Sequence, residues 1–144
     1  MSAIAAVALF SQLIIGFWAF PQGDIVEIQQ CGKRMCGRVA HVGNLPPDAR
    51  DERNPDHRAR RRRICGIQLF RIKESRQSNL WRGSSYSPED GLNYGVSLRL
   101  VDDVIHIEAL PFPPVGASPA DGPSRPKNFQ LRRTDDPGPC VLQK

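Results

Sequence analysis

Cys31 and Cys36 bracket Gly-Lys-Arg-Met, and this spacing carries the most chemical information in the chain. A loop this short, containing Gly32, can fold back across a hairpin and bring two Cα atoms within bonding range, so a structural disulfide is expected. Free buried thiols and a metal site are the alternatives. Zinc takes about four ligands, however, and no second pair has ligand spacing, so no metal is expected. His41, His57 and His106 are the only histidines, and no two are spaced as ligands or set beside a recognisable carboxylate partner. They read as surface or core residues rather than acid–base groups. Ser84 and Ser85 follow Gly83, but Gly-Ser-Ser is not the Gly-x-Ser-x-Gly of a strained nucleophile turn. The sequence therefore offers no catalytic residues and no cofactor, and enzymatic activity is not expected.

Two charged segments remain. Asp51, Asn54 and Asp56 form a candidate loop site around Pro55. Asn54 can bond to nearby backbone and start a turn that Pro55 continues, and Asp56 can pair with an arginine or cap a backbone N–H. An ion contact is the sharper reading, but the twelve-residue calcium-loop pattern is absent. Just beyond lie Arg58, Arg60, Arg61, Arg62 and Arg63, candidates for binding phosphate or anionic lipid. No aromatics interleave with them to stack on bases, so nucleic acid is disfavoured and a solvated basic loop is the plainer reading. Trp81, Tyr86 and Tyr94 are the large rings expected inside a barrel or at its mouth.

The elements that must position these residues are short strands. A formal charge of +5, a pI near 9.4 and 144 residues describe one basic domain. Ser2 to Phe20 is almost wholly apolar. Residues 1–14 read as an export signal or its remnant, with a retained anchor and a cytosolic helix as the alternatives. Ile15-Gly-Phe-Trp18 reads as an entering strand. The run from Asp24 to Gln29 and the return from Gly37 to Val42 form a first hairpin around the cysteine loop. Residues 43–63 form a long exposed loop, and Ile64 to Ile72 is the next strand. After the turn Ser87-Pro-Glu-Asp-Gly91, Tyr94, Val96, Leu98 and Leu100 point one way while Gly95, Ser97 and Arg99 point the other. Asp102-Asp103 turns the chain into a strand that places Ile105 and Ile107 on the core side. The whole predicts an all-β antiparallel meander over 15–110, a small up-and-down or partly open barrel. Residues 111–144, rich in proline and glycine, are expected to be mostly irregular, with Phe129 to Arg133 a poor closing strand.

The chain resembles the DUF2147 family of bacterial exported proteins. The matching pieces are Gly16-Phe-Trp18, the strand ending in Cys31, Met35-Cys36-Gly37, Asp51 with Asn54-Pro55-Asp56, and Ile64-Cys-Gly66. They continue through Trp81-x-Gly83, Tyr86-x-Pro88-x-Asp90-Gly91 and Tyr94. The resemblance covers about Gly16 to Leu110. It implies a cleaved signal, a periplasmic or otherwise extracytoplasmic location, and a small lipocalin-like barrel with no stable membrane span after cleavage. Cys31 and Cys36 match the family's cysteine pair. The family has no established activity, so no catalytic residue is carried over; the expected partner is a small apolar or amphipathic ligand or an envelope component. The chain departs from the pattern at Ser84, and the interval from Trp81 to Tyr86 is one residue short. It also departs at Glu108-Ala109, where the usual partner of Cys65 is missing, which leaves the pairing of Cys65 and Cys140 open, and in the family's closing strand.

Overall fold

The computed structural model describes residues 13–46, 48–112 and 126–140. Eight antiparallel strands close into a barrel in sequence order: β1 (Gly16–Ala19), β2 (Ile25–Cys31), β3 (Arg34–His41), β4 (Gln68–Glu74), β5 (Leu80–Ser87), β6 (Leu92–Val101), β7 (Val104–Pro111) and β8 (Lys127–Thr134). β8 completes the ring by pairing with β1, setting Trp18 opposite Arg133. Closure leaves no edge strand among the described residues, which removes the edge an open meander would expose.

Alternation sets the inner face. On β6, Tyr94, Val96 and Leu98 are buried while Arg99 is exposed, and on β7 Ile105, Ile107 and Ala109 are buried while His106 and Glu108 are exposed. The turn joining these two strands has Asp102 at φ 50° and Asp103 at φ 59°, the paired left-handed residues of a two-residue hairpin turn. Short aspartate side chains tolerate that conformation better than branched ones. At the β4–β5 contact, a Cβ on Gly83 would lie 2.0 Å from the Arg71 carbonyl oxygen, so no larger residue fits there without moving the strands.

The connections alternate between two ends. The β2–β3, β4–β5 and β6–β7 turns lie at one end with the amino-terminal approach; the β1–β2, β3–β4 and β5–β6 connections lie at the other. The first end is shut. Ile14 is fully buried there, and its carbonyl accepts the Trp18 indole N–H at 2.9 Å. The Arg133 guanidinium lies over the Trp18 ring, 4.2 Å from its centroid, and donates to the carbonyls of Leu13 and Ile15. Above this plug, Trp18, Ile28, Ile72, Trp81, Leu98, Ile105 and Leu131 are buried together in the lower half of the barrel.

The structure corrects three expectations. The stretch 111–144 contributes a closing strand: β8 has Leu131 fully buried and Phe129 packed on the core, so the barrel runs from Gly16 to Thr134 rather than ending at 110. Phe129 and Leu131 supply the inward positions, and the open edges of β1 and β7 supply hydrogen-bonding partners. The strand expected from Ile64 begins only at Gln68. Ile64 and Ile67 instead pack with Val39 in a second small cluster, where the Val39 N–H donates to the Ile67 carbonyl and the Val39 carbonyl accepts the Gly66 N–H, next to a bulge at Gly37/Arg38. The loop after β3 is also far from wholly exposed, because Asp51 and Asn54 are buried within it.

Both cysteine pairs form disulfides. Cys31–Cys36 ties β2 to β3 across their hairpin, with Cα atoms 5.8 Å apart, and Cys65–Cys140 ties the long loop to the segment after β8.

Candidate functional site

Asp51 has no exposure at all, and its carboxylate is the hub of the loop between β3 and β4. One oxygen accepts the Tyr86 hydroxyl at 2.6 Å. The other accepts Asn54 Nδ2 at 2.8 Å and pairs with Arg62 at 3.0 Å. Asn54 Oδ1 in turn accepts the Asp56 backbone N–H at 2.8 Å, and Asp56 caps the 3-10 helix His57–Arg61 by accepting the Arg58 N–H. A buried carboxylate is tolerated when its lone pairs are met in this way. Burial first, then the hydrogen bond to Asp51, pushes the Tyr86 phenol well above its ordinary pKa, so it stays protonated and donating.

These contacts place the candidate loop residues. Asp51, Asn54 and Asp56 come together, bonded to one another's segment and to β5. Among the arginines, Arg62 serves Asp51 and Arg60 donates to the Asn54 carbonyl at 2.9 Å, while the Arg58, Arg61 and Arg63 side chains point to solvent. The run is thus divided between holding the loop and facing water. Among the described residues, no group of three or more His, Cys, Asp or Glu side chains is arranged to hold a metal ion.

The pinned loop forms part of the wall of a cavity of about 850 Å³ at the open end of the barrel. Such a volume falls within the range that encloses drug-sized molecules. Phe20, Phe70 and Phe129 meet inside it, with Phe20 stacked 6.2 Å from Phe70 and 5.7 Å from Phe129 between ring centroids. Val96 and Ala109 contribute from β6 and β7, and Ile64, Leu69 and Tyr86 from the loop side. Small residues at inward positions make the space. Ser85 sits between Phe70 and Tyr94 in the register, and Ala109 sits opposite Val96. Trp81 is buried in the filled lower half, its indole N–H without a partner, whereas Tyr94 reaches the cavity.

At the rim, Tyr94 donates its hydroxyl to Asp90, and Lys127 pairs with the same carboxylate at 3.2 Å while lying 5.0 Å from the centroid of the Tyr94 ring. Partial burial works against ionisation of Asp90. The hydrogen bonds from Tyr94, the Leu92 N–H and Lys127 outweigh it and hold the carboxyl below its usual range. Burial and the bond to Asp90 raise the Tyr94 phenol. Lys127 is raised by its bond to Tyr94 and, against some desolvation, by Asp90. The result is a mostly apolar chamber with one compact polar cluster at its edge. Sequence reasoning placed Asp90 only in a turn and passed over Lys127. The spacing from Asp90 to Tyr94 across a turn was a usable signal, whereas nothing local marks Lys127.

Closed, eight-stranded, sealed at one end and hollow at the other, the molecule is a lipocalin-like barrel. A family model described as "Uncharacterized protein conserved in bacteria (DUF2147)" matches residues 16–114, and the chain belongs to that family. Among solved structures it is similar to "Protein HP1028 from the human pathogen Helicobacter pylori belongs to the lipocalin family", at 16% identity and a TM-score of 0.69. That similarity covers 85% of this chain and 84% of the other, and it speaks to the fold. No curated protein matches the chain.

Proposed function

We propose that this protein is a non-enzymatic binder of a small apolar or amphipathic molecule, working outside the reducing cytoplasm. The observation that carries the reading is the 850 Å³ chamber, with its phenylalanine cluster and the Tyr94–Asp90–Lys127 rim. Burying an apolar ligand there removes its surface from water at roughly 25 cal/mol per Å², while the rim offers a hydrogen-bonding partner for a polar end. Two disulfides in a chain of this size favour an oxidising compartment, and the apolar amino-terminal sequence fits export to it.

An uncharged naphthylamine dye, fluorescent in apolar surroundings, tests the reading. Binding with a dissociation constant on the order of 10 μM is expected, the affinity reached at about 0.4 kcal/mol per non-hydrogen atom. Ser85→Phe and Ala109→Phe, which fill the chamber, should each weaken it at least about tenfold. Undiminished dye binding by both folded variants would sink the proposal.

A further inference from the structure

We infer, resting on the binding reading above, that the chamber takes amphiphiles with a carboxylate head, which Lys127 and Arg53 receive beside the β5–β6 turn. Lys127 shares the inner face of β8 with Phe129 and Leu131, and it lies opposite Ala109 in the register. It is a cation at an inward strand position, one step above the phenylalanine cluster, and its ammonium lies over the Tyr94 ring. Arg53 arrives from the loop between β3 and β4. Its guanidinium donates to the Glu89 carbonyl. Its backbone lies so close to Gly91 that a Cβ there would come within 1.9 Å of the Arg53 carbonyl oxygen. Glu89, Asp90 and Gly91 are successive residues between β5 and β6, and Asp90 is the carboxylate that holds Lys127. One turn therefore fixes both cations at one side of the mouth, and both border the chamber.

Both cations keep donors for a ligand. An ammonium carries three N–H groups and a guanidinium five. Asp90 is already met by the Leu92 N–H on one oxygen and by Tyr94 and Lys127 on the other, so it positions the lysine without exhausting it. The lining carries three cations, Arg50, Arg53 and Lys127, and three carboxylates, Asp24, Glu52 and Glu89. That balance leaves no long-range field to choose a ligand, and contact decides. Asp24 spends its oxygens on the Gly43 N–H at 2.6 Å and on Gln22 at 3.3 Å. Glu52 and Glu89 are exposed loop residues, and none of the ion pairs among the described residues aims their carboxylates into the chamber. The charged groups that face an apolar chain lying on Phe129 and Ala109 are thus N–H donors. A carboxylate accepts charge-assisted bonds from them in a half-buried setting. An alcohol accepts only weaker ones, and a quaternary ammonium accepts none and meets Lys127 as a like charge.

The test is displacement of the naphthylamine dye from the full oxidised chain by dodecanoate, dodecanol and dodecyltrimethylammonium, three heads on one chain length. Dodecanoate should displace it at about a tenth of the dodecanol concentration, the ratio that a charge-assisted hydrogen bond gives, and the ammonium should be weakest. The readout is the acid-to-alcohol ratio, which a general loss of binding does not move. Lys127→Met should bring it to about unity, and Arg53→Gln should lower it about threefold. Asp90→Asn removes the anion that competes for Lys127 and should raise the ratio about threefold, a gain that a damaged fold does not produce. Equal displacement by acid and alcohol, an unchanged ratio in Lys127→Met, or a lowered one in Asp90→Asn overturns the inference while the dye still reports an intact chamber. Preference for the ammonium would assign the mouth to cationic amphiphiles through Glu52 and Glu89 and overturn it equally. A dye that never binds removes the chamber reading, and the head selectivity falls with it.

Discussion

Replacing Tyr86 with phenylalanine would leave the Asp51 carboxylate with Asn54 and Arg62 as its donors and one lone pair unmet in a fully buried position. A hydrogen bond to a charged group contributes about 1.5–3 kcal/mol, so Tyr86→Phe should destabilise the fold by about 2 kcal/mol in denaturant titration. Asp51→Ala should cost at least as much, because Tyr86, Asn54 and Arg62 then all lose a partner. The titration behaviour of these groups gives each a separate signature. Tyr86 has a folded pKa above its ordinary 10.0, so its contribution is complete below pH 10 and is lost as the pH rises through the folded value. Unfolding should therefore set in on alkaline titration, and Tyr86→Phe should flatten that limb. Asp90 has the opposite sign. Its carboxyl lies below the ordinary 3.8, so its contribution is present above that pH and is lost as the pH falls through the folded value. Asp90→Asn should flatten the acid limb and, because Asp90 also raises Tyr94 and Lys127, should soften the alkaline one to a lesser degree. Identical acid limbs in wild type and variant would show that the rim cluster contributes nothing to folding.

Among the elements, the two disulfides differ most in the length of chain they close. Cys31–Cys36 spans 5 positions and Cys65–Cys140 spans 75. On the chain-entropy view these restrain the unfolded state by about 2 and about 4 kcal/mol, so the Cys65→Ser/Cys140→Ser variant should lose more stability than Cys31→Ser/Cys36→Ser. A reversed order in urea titration would show that the long bridge only decorates a finished barrel. β8 makes a harder demand. A fragment ending at Leu110 lacks Leu131 and leaves β1 and β7 unpaired, so it should give no cooperative melt. This strand was also the least legible part of the sequence. The β6–β7 hairpin announced itself through unbroken alternation and the Asp102-Asp103 turn, and the first hairpin through its cysteines. β8 has only Phe129 and Leu131 on its inner face and is surrounded by proline, so its local signal is weak. Its stability comes from two partners distant in sequence. The same reason hid Lys127 from view, whereas Asp51, Asn54 and Asp56 were visible as a cluster although their role as the pin of the loop depends on Tyr86 from β5.

At the scale of the whole barrel, the two halves of the interior make opposite compromises. The lower half is packed solid around Trp18 and Trp81, and the upper half holds the chamber, whose lining lacks the dispersion contacts that a filled core would give. A fold that keeps such a space gives up stability that a larger side chain could restore. Ser85→Phe should therefore raise the unliganded protein's stability by about 0.5–2 kcal/mol, the usual gain from filling a cavity, while closing the chamber to the dye. Wild type should show the complementary behaviour, gaining about 2.7 kcal/mol when the dye is present at a hundred times its dissociation constant. Thermal melts of both proteins with and without dye separate the possibilities. If the chamber is a binding site, wild type shifts upward on adding dye and Ser85→Phe starts higher but does not move. If Ser85→Phe instead melts below wild type and still responds to dye, the space near Ser85 is already in use by the fold, and the ligand must enter elsewhere.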